Sequence, residues 1–273
     1  MRLEIVMKNV IASAIAAFAL GLPALAAADE ILDKTIVFIE CSTGNGQTTS
    51  RGSGVLVSPK GHVLTAKHVV SQGSGIVCKG SIGNAFAPTS QMIIGKKSND
   101  YDAQLLQFSG VQSSPHLKYC KLEDPMRREI VYATGFPGKT ATGVPSSRLG
   151  VLATVQPGPD GLIETDSETT RGMSGGMVTL AGSAGLIGII SGAKVDPGTG
   201  LPEYYGVLPA EMISTELGLI EESLPCSRAA RLASQTEVKW SAKDGRRELG
   251  MRQDEGYCFL TGVWGVFNDA SDI

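Results

Sequence analysis

From Thr35 onward the chain is a succession of short β-type runs, each closed by turn residues, and this rhythm restricts the fold more than any other feature. Thr35-Ile36-Val37-Phe38-Ile39-Glu40 is β-branched and aromatic, and Gly44-Asn45-Gly46 closes it. Gly54-Val55-Leu56-Val57-Ser58 runs into Pro59-Lys60-Gly61, a hairpin-like turn, and His62-Val63-Leu64-Thr65 follows. Similar runs recur at 75–77, 91–94, 104–108, 130–134, 149–155, 161–164, 177–180, 185–190 and 205–208. Short strands at regular spacing with glycine-rich turns predict an antiparallel sandwich or barrel. The 34 glycines and the shortage of long helical periods agree. One helix is expected: Pro209 suits a first helical position, Leu208, Met212, Ile213 and Leu217 recur at roughly helical spacing, and Gly218 would stop it.

The 273-residue chain opens with Arg2 and Lys8 ahead of an apolar stretch from Val10 to Leu25. Ala24-Leu25-Ala26 and Ala26-Ala27-Ala28 both fit the small-x-small rule of a cleavable signal peptide, and Met7-Lys8-Asn9 would itself make a conventional signal start. The competing reading is a membrane anchor, but the run is shorter than the roughly 20 residues that span a bilayer. We therefore expect a signal peptide over 1–28, a main domain over 29–224 and an extension over 225–273, with export to the periplasm or beyond. No second apolar stretch is long enough to span, so the mature chain is expected to carry no membrane span. The net charge of −3, without long charged runs, lacks the basic footprint of a nucleic-acid binder.

Five cysteines (Cys41, Cys78, Cys120, Cys226 and Cys258) suit an exported chain in which disulfides persist. The odd count leaves at least one unpaired. Cys41 and Cys78 follow apolar runs that could lie side by side in a barrel, so they are the favoured pair, and Cys226–Cys258 would staple the tail. No pair has the spacing of a zinc site and none lies near a histidine cluster, so neither a metal nor a cofactor is expected.

Gly172-Met173-Ser174-Gly175-Gly176 places a serine on a turn where glycines let the backbone come close to a substrate. On its own this is a moderately specific signal, since many glycine-rich turns contain serine. A serine hydroxyl needs a neutral imidazole to take its proton and a carboxylate to hold that imidazole. Among the three histidines, His62 beside a turn glycine and His116 in a Ser-Ser-Pro-His loop read as surface residues. His68, in Leu64-Thr65-Ala66-Lys67-His68-Val69-Val70, sits where a strand meets a turn and is the candidate base. Asp102, entering the apolar run Ala103-Gln104-Leu105-Leu106, is the candidate orienter, with Asp100 its rival. The amides of Gly172 and Ser174 are the candidate oxyanion donors. A Gly-x-Ser-x-Gly elbow would order its triad Ser, Asp, His on a strand–turn–helix; here the serine comes last among strands, which argues against an α/β-hydrolase.

Over roughly residues 34–220 the chain resembles the trypsin-like serine peptidases, especially the bacterial HtrA (Do-like) branch. The resemblance rests on Gly52-Ser53-Gly54-Val55-Leu56-Val57, on Thr65-Ala66-Lys67-His68-Val69-Val70, on Thr165-Asp166 ahead of the Ser174 motif, and on Gly185-Leu186-Ile187-Gly188-Ile189. It implies an all-β, chymotrypsin-like fold of two six-stranded antiparallel β-barrels with a C-terminal helix. It further implies that His68 is general base, Asp102 orienter and Ser174 nucleophile. Ser191 looks like the serine that supports the aspartate, and Gly192 and Ala193 like the strand that pairs with extended substrate. Glu168, six residues before Ser174, falls where such pockets carry a specificity residue, and an acid there would favour Lys or Arg.

Three departures bear on these expectations. Met173 replaces the Asn or Asp usual before the nucleophile, so a switch that binds a newly cut N-terminus should be absent. Loop order must then come from elsewhere, with Thr169, Thr170 and Arg171 as candidates. No PDZ domain is expected in the residues after the helix. The leading expectation is an exported serine endopeptidase acting on protein or peptide substrates. The alternatives are a catalytically inactive, protease-like peptide-binding module and an esterase on the same fold; the oligomeric state is left open.

Overall fold

The computed structural model describes residues 30–70, 75–110, 114–181, 183, 185–218 and 226, together with the backbone of 241–243 and 246–248. The expected signal peptide, Cys258 and most of the 225–273 extension lie outside the described residues.

The first six strands are β1 (Ile36–Ser42), β2 (Thr48–Leu56), β3 (His62–Thr65), β4 (Val77–Ile82), β5 (Ser90–Lys97) and β6 (Gln104–Phe108). They close into an antiparallel barrel in the order β1-β2-β3-β6-β5-β4. The next six are β7 (Ile130–Gly135), β8 (Ser146–Val151), β9 (Ile163–Thr165), β10 (Met177–Leu180), β11 (Leu186–Val195) and β12 (Pro202–Pro209). They form a six-stranded antiparallel sheet in the order β8-β7-β10-β11-β12-β9. Its outer strands approach through the Leu152–Thr165 bridge, so it curls into a second barrel-like lobe. This is the all-β, chymotrypsin-like architecture expected above. Separately, β13 (Ser241–Lys243) pairs antiparallel with β14 (Arg246–Glu248).

Burial explains the strands. In β1, Ile36, Val37, Ile39 and Cys41 are fully buried while Phe38 and Glu40 are partly exposed, close to the period of two that a pleat imposes. Val37, Ile39, Val63, Leu106 and Phe108 fill the first barrel, and Val131, Leu152, Ile163, Val178 and Ile187 fill the second. A third cluster is shared. Ile36, Val55 and Leu64 from the first lobe meet Phe136, Met177, Ile189 and Leu208 from the second. Each such side chain contributes roughly 1.5–3 kcal/mol on burial, so the lobes are joined by a core of their own.

The expected helix is α1 (Ala210–Leu217). Pro209 is its N-cap rather than its first turn, and Gly218 closes it at φ +70°, a conformation that favours glycine. Ala210, Ile213, Ser214 and Leu217 are buried, one face at i, i+3, i+4 and i+7. Leu208 belongs instead to β12, opposite Ile189.

Cys41 and Cys78 stand opposite each other on β1 and β4 and are disulfide-bonded, as expected. The Cys226–Cys258 expectation is corrected: Cys226 is bonded to Cys120. Backbone contacts explain the partner, since the Cys120 amide donates to the Leu186 carbonyl at 2.7 Å and draws this thiol against the second lobe. Gly185 makes the room; a Cβ there would lie 2.2 Å from the Cys120 sulfur and 2.8 Å from that of Cys226.

Candidate active site

Strand pairing brings His68 and Asp102 together. Thr65 at the end of β3 is opposite Gln104 at the start of β6, so the chain leaving one strand and the chain entering the other share an edge. His68 lies in a short 3-10 turn over Lys67–Val69, held down by the buried Val69 while the imidazole faces outward. Its Nδ1 donates to Asp102 Oδ2 at 2.7 Å, and its backbone N–H donates to Oδ1 at 3.0 Å. Ser191 Oγ donates to Oδ2 at 3.0 Å. With Nδ1–H committed to the carboxylate, Nε2 carries the lone pair of the neutral ring. Asp100, the rival, is exposed.

The Asp102 carboxylate is only partly shielded from solvent, with 31% of its side chain exposed. Burial alone would raise its pKa. The hydrogen bond and charge of the His68 ring, the His68 amide and the Ser191 hydroxyl outweigh that and hold it below the ordinary value. The Asp102 hydrogen bond raises His68 above its ordinary value, against partial desolvation. His62 moves the other way, lowered by burial and by the Lys60 charge. Expected on the surface, His62 and His116 are both half-buried; His62 Nδ1 meets Ser58 Oγ at 2.7 Å, and His116 Nδ1 meets the Ser114 carbonyl at 3.2 Å.

The Ser174 loop is built from backbone. Gly172 and Gly175 adopt φ of +94° and +80°, which favour glycine. Neither tolerates a side chain. A Cβ on Gly172 would lie 2.4 Å from the Gly138 nitrogen, and one on Gly175 would lie 2.2 Å from the Ser53 carbonyl and 2.3 Å from Thr65 Oγ1. Ser174 is therefore pressed against β2 and the end of β3, the strand whose following turn carries His68. Within 172–176, Met173 N donates to Thr170 O at 3.0 Å, Gly175 N to Ile190 O at 2.7 Å and Gly176 N to Met173 O at 2.9 Å. The Gly172 and Ser174 amides donate to no backbone carbonyl among the described residues. These are the two named as oxyanion donors.

Met173 is fully buried, a core residue in the second lobe. Loop order comes from Thr170 and Arg171 through their carbonyls, the latter accepting from Gly138 N at 2.8 Å. A third contributor, Ser53, was missed as a functional residue, although it stood in the motif Gly52-Ser53-Gly54. It is fully buried; its Oγ donates to the Gly172 carbonyl and accepts from the Phe136 amide, both at 2.8 Å. Its own amide donates to the Ser174 carbonyl at 2.8 Å.

The β11–β12 ladder slips between Ile190 and Gly192, and the bulge turns Ser191 toward Asp102. Beyond it, Gly192 and Ala193 are exposed on a stretch of β11 that outruns its β10 partner. Glu168 is also exposed; burial first, and then the Glu168 charge, raise the pKa of Tyr205, the residue paired with Ala193. Among the described residues, no group of three or more His, Cys, Asp or Glu side chains is arranged to hold a metal, and no helix is long and apolar enough to cross a membrane.

This arrangement offers a hydroxyl, an imidazole oriented by a carboxylate, and beside the hydroxyl two amides without a backbone acceptor among the described residues. Residues 52–189, which contain His68, Asp102 and Ser174, match the family described as trypsin-like peptidase domain. The chain is 31% identical over 169 residues to the periplasmic pH-dependent serine endoprotease DegQ of Escherichia coli, covering 60% of this chain and 36% of that protein. It is 26% identical over 182 residues to the serine endoprotease DegS of Salmonella typhimurium, covering 64% of this chain and 50% of that protein. The chain thus spans half or less of the length of these relatives. The crystal structure of the serine endoprotease from Yersinia pestis superposes with a TM-score of 0.58 at 19% identity, over 70% of this chain and 64% of that one, a likeness of fold. The chain belongs to the trypsin-like peptidase family, and its relatives there are serine endoproteases of the HtrA group.

Proposed function

We propose that this chain is an exported serine endopeptidase that cleaves peptide bonds of protein substrates through Ser174, His68 and Asp102. The observation that carries the reading is the 2.7 Å contact between His68 Nδ1 and Asp102 Oδ2, beside a Ser174 loop whose Gly172 and Ser174 amides have no backbone acceptor among the described residues. Ser174 Oγ attacks the scissile carbonyl carbon while Nε2 of His68 takes its proton. The oxyanion accepts from the two amides, a stabilisation worth about 10²–10³ in rate per donor. The imidazolium returns the proton to the departing amine, leaving an acyl-enzyme. Water then repeats the sequence and frees the acid. Asp102 keeps its negative charge and steadies the imidazolium throughout.

Extended substrate pairs with the backbone of Gly192 and Ala193, the exposed part of β11. Glu168, whose charge reaches Tyr205 opposite Ala193, favours Lys or Arg at the cleavage site. Export is supported by the signal-like N-terminus, the two disulfides and the periplasmic description of DegQ. The test is Ser174→Ala on unfolded casein, with fluorophosphonate labelling of the parent. Cleavage should fall by a factor on the order of 10⁴ or more, and Ser174 should label. Equal cleavage by the variant would refute the assignment, and a parent that binds peptide yet fails to label is a binding module.

A further inference from the structure

The Asp102 side chain is held by His68 and Ser191, but the loop that carries it, 98–103 between β5 and β6, has a separate attachment on the other lobe. Its hub is Ser98, 1% exposed. Ser98 Oγ accepts from the Tyr101 amide at 2.9 Å, and the Ser98 amide donates to the Ala103 carbonyl at 2.9 Å, so both neighbours of Asp102 are tied to one residue. The Ser98 carbonyl accepts from Lys67 Nζ at 3.2 Å, which adds the neighbour of His68. The remaining bond of the Ser98 hydroxyl, its proton, goes to Glu216 Oε2 on α1. Glu216 Oε1 accepts from the Asn99 amide at 2.7 Å, and the Glu216 carbonyl accepts from Lys96 Nζ.

The neighbouring Ile213 and Leu217 anchor the helix in the core, and Glu216 projects from that anchor. Both carboxylate oxygens are spent on consecutive residues of the Asp102 loop. A charged acceptor bonded to a buried hydroxyl and a backbone amide is among the stronger non-covalent ties available. We propose that Glu216 is a positioning residue of the active site: through Ser98 and Asn99 it fastens the loop bearing Asp102 to the second lobe and thereby sets how Asp102 meets His68. The proposal rests on the triad reading. The second lobe thus steadies Asp102 twice, directly through Ser191 and indirectly through α1.

The charges facing Glu216 are Lys96 and Lys67, and with the Ser98 and Asn99 hydrogen bonds, which act most strongly, they keep its pKa below the ordinary carboxylate range. His68 lies above its own ordinary value, so the two titrations fall in separate pH ranges. An acid limb in the rate therefore reports His68, with Glu216 charged throughout.

Glu216→Ala, Glu216→Gln and Glu211→Ala decide the matter. Glu211 sits on the same helix and accepts from the Leu122 amide at 2.9 Å, a comparable tie that does not touch the Asp102 loop. For Glu216→Ala we expect kcat to fall by about tenfold to a hundredfold with KM unchanged, the cost of a small misplacement. The His68 pKa, read by NMR titration, should move down toward its ordinary value. Glu216→Gln keeps one acceptor and should fall between Ala and the parent, whereas Glu211→Ala should lower Tm alone. A Glu216→Ala or, if that variant does not fold, a Glu216→Gln protein with parental kcat and parental His68 titration overturns the proposal. So does an equal pKa change in Glu211→Ala. The titration repeated on a Ser174→Ala background needs no turnover, so it judges the role of Glu216 even where the peptidase reading itself fails.

Discussion

The two halves of the site are held by different means. On the first-lobe side, His68 and Asp102 are positioned by side chains: imidazole to carboxylate, hydroxyl to carboxylate, lysine to carbonyl. On the second-lobe side, Ser174 is positioned by main chain, through glycines at positive φ and carbonyl–amide bonds. Each half turns on one buried serine, Ser98 and Ser53, and each of these is bonded to the opposite lobe. The difference suits the tasks we propose for the two halves. A base must titrate, so its environment is built from groups that tune charge. A nucleophile with two donor amides needs a fixed backbone, which glycine and close packing provide.

Substitutions should separate the halves, the largest effect first. Asp102→Asn should lower kcat by about 10⁴ by losing the Nδ1–H tautomer. The parent's activity should rise with pH as His68 loses its proton, with a midpoint above 6.5 because the Asp102 bond raises that pKa. Any residual activity of Asp102→Asn should have its midpoint at lower pH, and a pH–rate series reads both. Gly172→Ala should cost about 10²–10³ in the rate of acylation, since its Cβ displaces the loop from Gly138, and it should leave the His68 titration in place. Ser53→Ala strands the Phe136 amide and should cost about 1–3 kcal/mol of stability by chemical denaturation. A shift of the His68 pKa in that variant would break the division drawn here. Ser191→Ala, which removes one of the three hydrogen bonds to the Asp102 carboxylate among the described residues, should change kcat/KM by less than about tenfold.

The strands were readable because their residues are apolar and β-branched locally: His62–Thr65, Gln104–Phe108 and Met177–Leu180 have the bounds expected of them. Where pairing rather than composition extends a strand, the bounds were missed. β4 continues through Lys79, Gly80 and Ser81 because β1 pairs with it, and β11 runs on to Val195 because β12 does. The same division governs the site. His68, Asp102 and Ser174 stand in distinctive local settings. The Ser53–Gly172 and Ser98–Glu216 bonds join residues 119 and 118 positions apart and leave no local trace. The partner of Cys226 is set by such a distant contact too, since spacing alone does not choose among five cysteines.

The extra residue in β11 carries a further implication. Ser191 is that residue, and because Ile190 and Gly192 already face Val207 and Gly206, which are consecutive on β12, deleting it would leave the ladder beyond it in register. The hydroxyl aimed at Asp102 thus sits on the unpaired extra residue, and the stretch proposed to pair with a peptide begins where the ladder resumes. Removing the extra residue would therefore withdraw the hydroxyl from the carboxylate while sparing the pairing of the strand that follows.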